Sequence, residues 1–326
     1  MTRVGVIGVG GMGACHARHV VDLAGAALAW VADPDEATGQ ALAAELGCEW
    51  VAEGMDRIDD CDALVIACPD RFHHRYVMAG LERGLPILAE KPLTVELADA
   101  SEIVDTEVAL GRRLIQLGFM RVYDERHTQV ATALDRIGAA RHIRCVHRNT
   151  NDGSRTVPQM LVESIIHDIH TVRWLGADEI VSVATSVVAG GAGTRMIIAT
   201  CRLASGAVAV LEFDDIATGY EVSVEVTAER GNVVAAEPLR AAVRADGMVA
   251  GEIGDDWFSP FLDTYRVEMR DFLASVEAGV ARGPSAWDGY AAQAVVEAAA
   301  ASAAADGAAV GVDLPAKPAL YQETTP

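Results

Sequence analysis

A lysine held between a glutamate and a proline ends a short apolar run, Pro86-Ile87-Leu88-Ala89-Glu90-Lys91-Pro92. Further along, Glu163, His167 and His170 recur at i, i+4 and i+7 within Leu161-Val162-Glu163-Ser164-Ile165-Ile166-His167-Asp168-Ile169-His170. An ammonium group can hold a hydroxyl oxygen and favour the negative charge that develops on it. Imidazole moves protons near neutral pH, and a carboxylate can orient it or relay the proton. At about 100° per residue, the three polar side chains share one side of a helix. They face away from an arc of Leu161, Val162, Ile165, Ile166, Ile169 and Val172. Three readings are open for that face: solvent, a zinc site, or catalysis.

The elements that must position Lys91 begin at the N-terminus. Val4-Gly5-Val6-Ile7 is an apolar strand running into Gly8-Val9-Gly10-Gly11-Met12-Gly13, and a helical stretch follows. In such a turn Gly8 allows the tight bend, Gly10 and its neighbours Gly11 and Met12 admit a pyrophosphate, and Gly13 lets helix pack on strand. The helix N-terminus then favours the phosphate charge. Asp33 ends a second apolar run twenty residues after Gly13. A carboxylate there accepts ribose hydroxyls and repels a 2′-phosphate, and Pro34, Asp35 and Glu36 offer no arginine, so NAD is expected over NADP. Ligands of open parallel sheets bind beyond the strands' carboxyl ends, which directs Lys91 toward the cofactor crevice. With such a cofactor and such a lysine, metal is unnecessary, and none is expected.

From residue 1 to about 120, strands (3–7, 27–32, 63–67, 86–89, 113–117) alternate with helices (12–24, 35–46, 72–83, 95–110). That is the pattern of a doubly wound parallel sheet. The remainder, 121–326, reads as a helix at 124–137, a strand at 141–148, a polar loop and a helix at 158–175. Long strands follow from 180 to 245, with turns at Gly190-Gly191, Ser205-Gly206 and Arg230-Gly231, and then two helices, 258–280 and 284–305. The expected fold is α/β: an N-terminal Rossmann domain, 1–120, and a C-terminal α+β domain on a large, mostly antiparallel open sheet. A C-terminal helix could pack back on the first domain. An open sheet needs a cover, so a homodimer or homotetramer through that sheet is expected. The loop Asn149-Thr150-Asn151-Asp152-Gly153-Ser154-Arg155 is dense in donors and acceptors, either to read substrate hydroxyls or as an exposed turn.

With 26 basic and 47 acidic residues the net charge is −21, which disfavours nucleic acid and anionic membrane surfaces as partners. The six cysteines have no paired short spacing, as expected of a reducing cytoplasm.

Together these pieces resemble the glucose–fructose oxidoreductase, inositol dehydrogenase and rhizopine-catabolism family (Gfo/Idh/MocA). The resemblance runs through the glycine turn with His16, Cys68-Pro69-Asp70-Arg71-Phe72-His73, Glu90-Lys91-Pro92 and Gly118-Phe119-Met120-Arg121. It continues in the His167-Asp168-Ile169 helix ending Arg173-Trp174-Leu175 and the Gly219-Tyr220 turn. It implies that Lys91 and His167 are catalytic, with Glu163 as the acidic partner one turn before the histidine. It also implies that Cys68, Pro69, Asp70, His73 and Glu90 lie along the cofactor. Lys91, Arg121, Asn149, Asn151, Glu163, His167, His170 and Tyr220 are then the candidate contacts to a small polyhydroxylated substrate. Inositol dehydrogenases resemble this chain but carry aspartate in place of Glu163 and of His170, which weakens the case for plain myo-inositol. The expected activity is NAD-dependent oxidation of a secondary alcohol on a cyclitol, aminocyclitol or sugar to the ketone. The alternatives are a keto-sugar reductase using NAD(P)H and a non-catalytic NAD-binding regulator.

Overall fold

A computed structural model describes residues 1–190, 193–236, 242–245, 248–251 and 254–322. The chain divides into two compact units. The first comprises Met1–Tyr123, Asp263–Tyr290 and Pro315–Pro326, and the second Asp124–Leu262 and Ala291–Leu314.

In the first unit, β1 (Thr2–Ile7), α1 (Gly11–Asp22), β2 (Ala26–Ala32), α2 (Glu36–Leu46), β3 (Glu49–Val51), β4 (Ala63–Ile66), α3 (His73–Glu82), β5 (Ile87–Ala89), α4 (Leu97–Leu110) and β6 (Ile115–Leu117) alternate. Their strands form one parallel sheet in the order β3-β2-β1-β4-β5-β6, the doubly wound order of the Rossmann fold. Parallel strands lie between helices and are buried on both faces, so they read as unbroken apolar runs. Val4, Val6 and Ala63 to Ile66 are accordingly buried. The three-residue strand β3, which pairs Trp30 with Glu49, was not expected, being too short to show a hydrophobic period. Asp35 caps α2 by accepting the amides of Ala37 and Thr38, and Gly47 ends it in the left-handed conformation.

In the second unit come α5 (Glu125–Ile137), β7 (Ala140–Thr150), α6 (Val157–Met160) and α7 (Ile166–Gly176). They are followed by β8 (Ile180–Gly190), β9 (Gly193–Leu203), β10 (Val208–Asp214), β11 (Ile216–Ala228), β12 (Gly231–Ala235), β13 (Ala242–Ala245) and β14 (Met248–Gly251). The expected turn at Gly190-Gly191 falls where β8 ends; Gly191 lies outside the described residues. The last elements of the chain are α8 (Leu262–Ala278), α9 (Ala286–Ala304) and β15 (Val310–Gly311). The sheet runs β12-β11-β7-β10-β9-β8-β15 and is antiparallel except between β7 and β10. β13 and β14 pair as a separate hairpin.

The helix expected at 158–175 is interrupted. Leu161–Ile165 is a π-helical turn between α6 and α7. A π turn has more residues per turn than an α-helix, so it changes the phase of everything after it. The three polar side chains also differ in burial: Glu163 is exposed and His167 half-buried, whereas His170 is buried along with Asp168, Ile169 and Thr171.

Candidate active site

The first unit holds a cavity of about 660 Å³ at the carboxyl ends of β1, β2, β4 and β5. Each glycine of the first turn has a distinct physical need. Gly8 has φ of +84°, and a Cβ there would lie 2.6 Å from the Ala67 oxygen. A Cβ on Gly13 would lie 1.9 Å from the Gly8 oxygen, so a methyl group would part the helix from the turn. Gly10 and Gly11 have nothing within 4 Å of a built Cβ, and both line the cavity with Met12. That is the open space a diphosphate would fill. No side chain caps α1 at Gly10 and no acid occupies its first turn, which leaves its amides for an anion.

Asp33, just past β2, is fixed by two amides: Oδ2 accepts from Val9 (2.9 Å) and Oδ1 from Asp35 (2.9 Å). Its carbonyl accepts from Trp50 Nε1 at 3.1 Å. The carboxylate lines the cavity in a set orientation, as ribose recognition needs. Two guanidinium groups also reach the cavity, yet Arg75 pairs with Glu53 at 3.2 Å and Arg71 stacks over Phe72 at 4.5 Å. These residues fit NAD: the open glycines would hold its diphosphate and Asp33 its ribose.

Cys68, Pro69 and Asp70 line the same cavity. Burial pushes the Cys68 thiol up to about 12, so it is a packing group and not a thiolate. His73 also reaches the cavity, but its ring is fully buried and its nitrogens lie 2.7 Å from the Pro92 oxygen and 2.9 Å from the Cys68 oxygen. Its polar atoms therefore brace the loops after β4 and β5.

Glu90 and Lys91 directly follow β5, both half-buried and both on the cavity. Glu90 Oε1 lies 2.8 Å from His16 Nε2, and Glu90 Oε2 accepts from the Lys91 amide at 3.3 Å. Burial alone would raise the Glu90 carboxyl, but the hydrogen bond and charge of His16, with the Lys91 ammonium, outweigh it and leave it lowered. Sequence reasoning missed a second acid in this cluster. Glu268 of α8 is fully buried, and among the described residues neither of its carboxyl oxygens has a hydrogen-bond partner. Burial, then the charges of Glu90 and Asp271, hold it well above the usual carboxylate range. Arg121 is buried in the short turn Met120–Tyr123 of the same unit.

The second unit gathers the other candidates. Asn149 Nδ2 donates to Ser164 Oγ at 3.2 Å, and Asn151 Nδ2 to Asp215 Oδ1 at 2.8 Å. Arg155 lies between them, within 3.2 Å of both Glu163 Oε2 and Ser164 Oγ. Tyr220 is buried edge-on to His147, 6.0 Å between ring centroids. His147 Nδ1 in turn lies 3.1 Å from Asp168 Oδ2, both residues buried. Sequence reasoning passed over that pair, although an acid at the edge of an apolar arc is a signal for a buried partner. Among the described residues the one trio of His, Asp and Glu with ligand atoms within 4.8 Å of one another is His74, Asp99 and Glu102. Glu163, His167 and His170 are not gathered in that way.

Residues 2–119 match a family model described as oxidoreductase family, NAD-binding Rossmann fold, and residues 148–312 match its C-terminal alpha/beta domain. Inositol 2-dehydrogenase 1 of Saccharopolyspora erythraea is 40% identical, over 98% of each chain. Inositol 2-dehydrogenase of Agrobacterium fabrum is 34% identical, over 98% of this chain and 99% of that one. Among solved structures, myo-inositol dehydrogenase from Lactobacillus casei in complex with NAD(H) and myo-inositol superposes with a TM-score of 0.93. It is 29% identical and is covered over 99% of this chain and 100% of that one. Two matched family models, in chain order, meet a glycine turn and a fixed aspartate fit for a dinucleotide: the chain belongs to the Gfo/Idh/MocA family of NAD-dependent oxidoreductases.

Proposed function

We propose that this chain oxidises a secondary alcohol of a cyclitol, or of a closely related aminocyclitol or sugar, to the ketone. The observation that carries the reading is that Lys91 lines the same cavity as the open glycines and Asp33. Likeness to inositol 2-dehydrogenases over 98% of the chain supports the substrate class. Bound NAD supplies the hydride acceptor at its nicotinamide ring. His167 takes the hydroxyl proton as general base, Lys91 stabilises the oxygen as negative charge grows on it, and Glu163 orients the histidine or relays its proton. Asn149, Asn151, His170, Arg121 and Tyr220 are assigned to the ring hydroxyls.

The test is a panel of inositols, aminocyclitols and pyranoses with NAD and with NADP, followed by cofactor absorbance. Formation of NADH from at least one cyclitol is expected. Retained NAD binding with no NADH from any of them sinks the reading. Lys91→Ala should lower kcat at least about a hundredfold, the scale of losing one oxyanion donor, with NAD affinity within threefold. Undiminished turnover removes Lys91 from the chemistry.

The same reading places the protein in the cytoplasm, where its six free cysteines would stay reduced. No described helix is long and apolar enough to cross a membrane. It also assigns a homodimer or homotetramer through the second unit's sheet. There, half-exposed Ile198 and Val210 alternate with buried Ile197, Ala199, Ala209 and Leu211. Light scattering reads the assembly.

A further inference from the structure

The loop between β7 and α6 carries Arg155, whose side chain is only 17% exposed. One edge of its guanidinium is fixed. Nε donates to Asp215 Oδ1 at 3.0 Å and Nη2 contacts the same oxygen. Asp215 is fully buried and is itself pinned by Asn151, through both the side chain (2.8 Å) and the backbone amide, which donates to the Asp215 carbonyl at 2.9 Å. The cation also lies over the Phe213 ring, 5.6 Å from its centroid. The other edge is turned to the π-helical turn, where Nη1 lies 3.2 Å from Glu163 Oε2 and 3.2 Å from Ser164 Oγ.

Glu163 needs such a hold. Its side chain is 47% exposed and has three rotatable bonds, so left alone it would share its time among several rotamers. An exposed ion pair adds little stability. A planar fork anchored on a buried carboxylate can still fix where a second carboxylate points. We propose that Arg155 is a positioning residue: it draws the Glu163 carboxylate into one orientation, with Asp215 as its anchor. The catalytic consequence rests on the role given to Glu163 above; the tether itself does not.

Two measurements test it. Crystal structures of the wild type and of Arg155→Gln should show the Glu163 carboxylate in one place in the former and displaced or spread over several conformers in the latter. An unmoved Glu163 overturns the proposal. In the assay, Arg155→Ala should lower kcat roughly ten- to a hundredfold with less than a threefold change in KM. Millimolar guanidinium should restore part of that loss, a rescue that a merely structural role would not give. An unchanged kcat in an active wild-type background, or a fall that guanidinium cannot reverse, overturns it. Should Arg155→Ala fail to fold because Asp215 is left buried and unpaired, Arg155→Ala with Asp215→Asn removes that charge, and the same rescue is sought there. A wild type silent toward every polyol sinks the dehydrogenase reading alone, because the pair of crystal structures still decides the tether.

Discussion

Gly10 and Gly13 differ by three positions and by opposite physical demands. A methyl group on Gly10 meets nothing within 4 Å, and the residue has φ of −62°, which alanine adopts readily. The same methyl on Gly13 would lie 1.9 Å from a backbone oxygen, which cannot rotate away. Gly10→Ala should therefore melt within a degree or two of the wild type yet bind NAD at least about tenfold more weakly, a loss of ~1.4 kcal/mol, because the methyl occupies diphosphate space. Gly13→Ala should lose about 1–3 kcal/mol of stability to overpacking, ~1.5–4.5 °C in Tm for a chain of this size. Thermal melts with and without NAD check both; a destabilised Gly10→Ala beside a stable Gly13→Ala would reverse the assignment. These residues were legible in the sequence because their spacing is local. Arg155 and Asp215 were not, because two polar loop residues give no sign of which buried acid answers which cation.

At the scale of the element, α8 carries the least ordinary group in the first unit. The buried carboxyl of Glu268 has no hydrogen bond among the described residues and feels the charges of Glu90, itself paired with His16, and of Asp271. Its folded proton affinity is raised above that of the unfolded chain, so folding favours the neutral acid. Its contribution to stability is therefore greatest below the ordinary glutamate value of about 4.3 and is lost as pH rises toward the folded value. Each tenfold difference in proton affinity is worth about 1.4 kcal/mol. Glu268→Gln cannot ionise, so the Tm of the wild type should fall further than that of the variant, by at least ~2 °C, between pH 5 and pH 8. Parallel pH profiles would show that Glu268 is ionised at both ends. The sequence displayed α8 as one amphipathic helix among others. The raised proton affinity of that glutamate depends on its burial and on the charges of Glu90 and Asp271, which the period of a helix cannot reveal. The π turn before α7 escaped for a related reason: periodicity assumes a constant turn, and a wider turn at Leu161–Ile165 changes the angle between Glu163 and the helix that follows.

For the whole molecule, the alternation of strand and helix up to residue 117 made the parallel sheet legible, and the alternation Glu221-Val222-Ser223-Val224-Glu225-Val226 did the same for the antiparallel one. What alternation cannot show is which later segment completes a core. In the first unit, Met269, Phe272 and Leu273 of α8 pack into one apolar cluster with Val4 and Val6 of β1, Val20 of α1 and Val65 of β4. Arg113 also donates to the carbonyls of Arg282 and Gly283, and the amide of Leu117 to that of Pro284. Burial of each large apolar side chain contributes about 1.5–3 kcal/mol, so those three α8 residues together supply ~5–9 kcal/mol. That rivals the entire stability of an ordinary domain, about 5–15 kcal/mol. A fragment ending at residue 120, where the apparent Rossmann pattern stops, should therefore lack a cooperative urea transition. A fusion of residues 1–123 to 263–290 through a flexible linker should regain one. Circular dichroism during urea titration distinguishes the two. A sharp transition in the shorter fragment would mean that the cluster closes without α8, and that the core of the nucleotide-binding unit is set by local order alone.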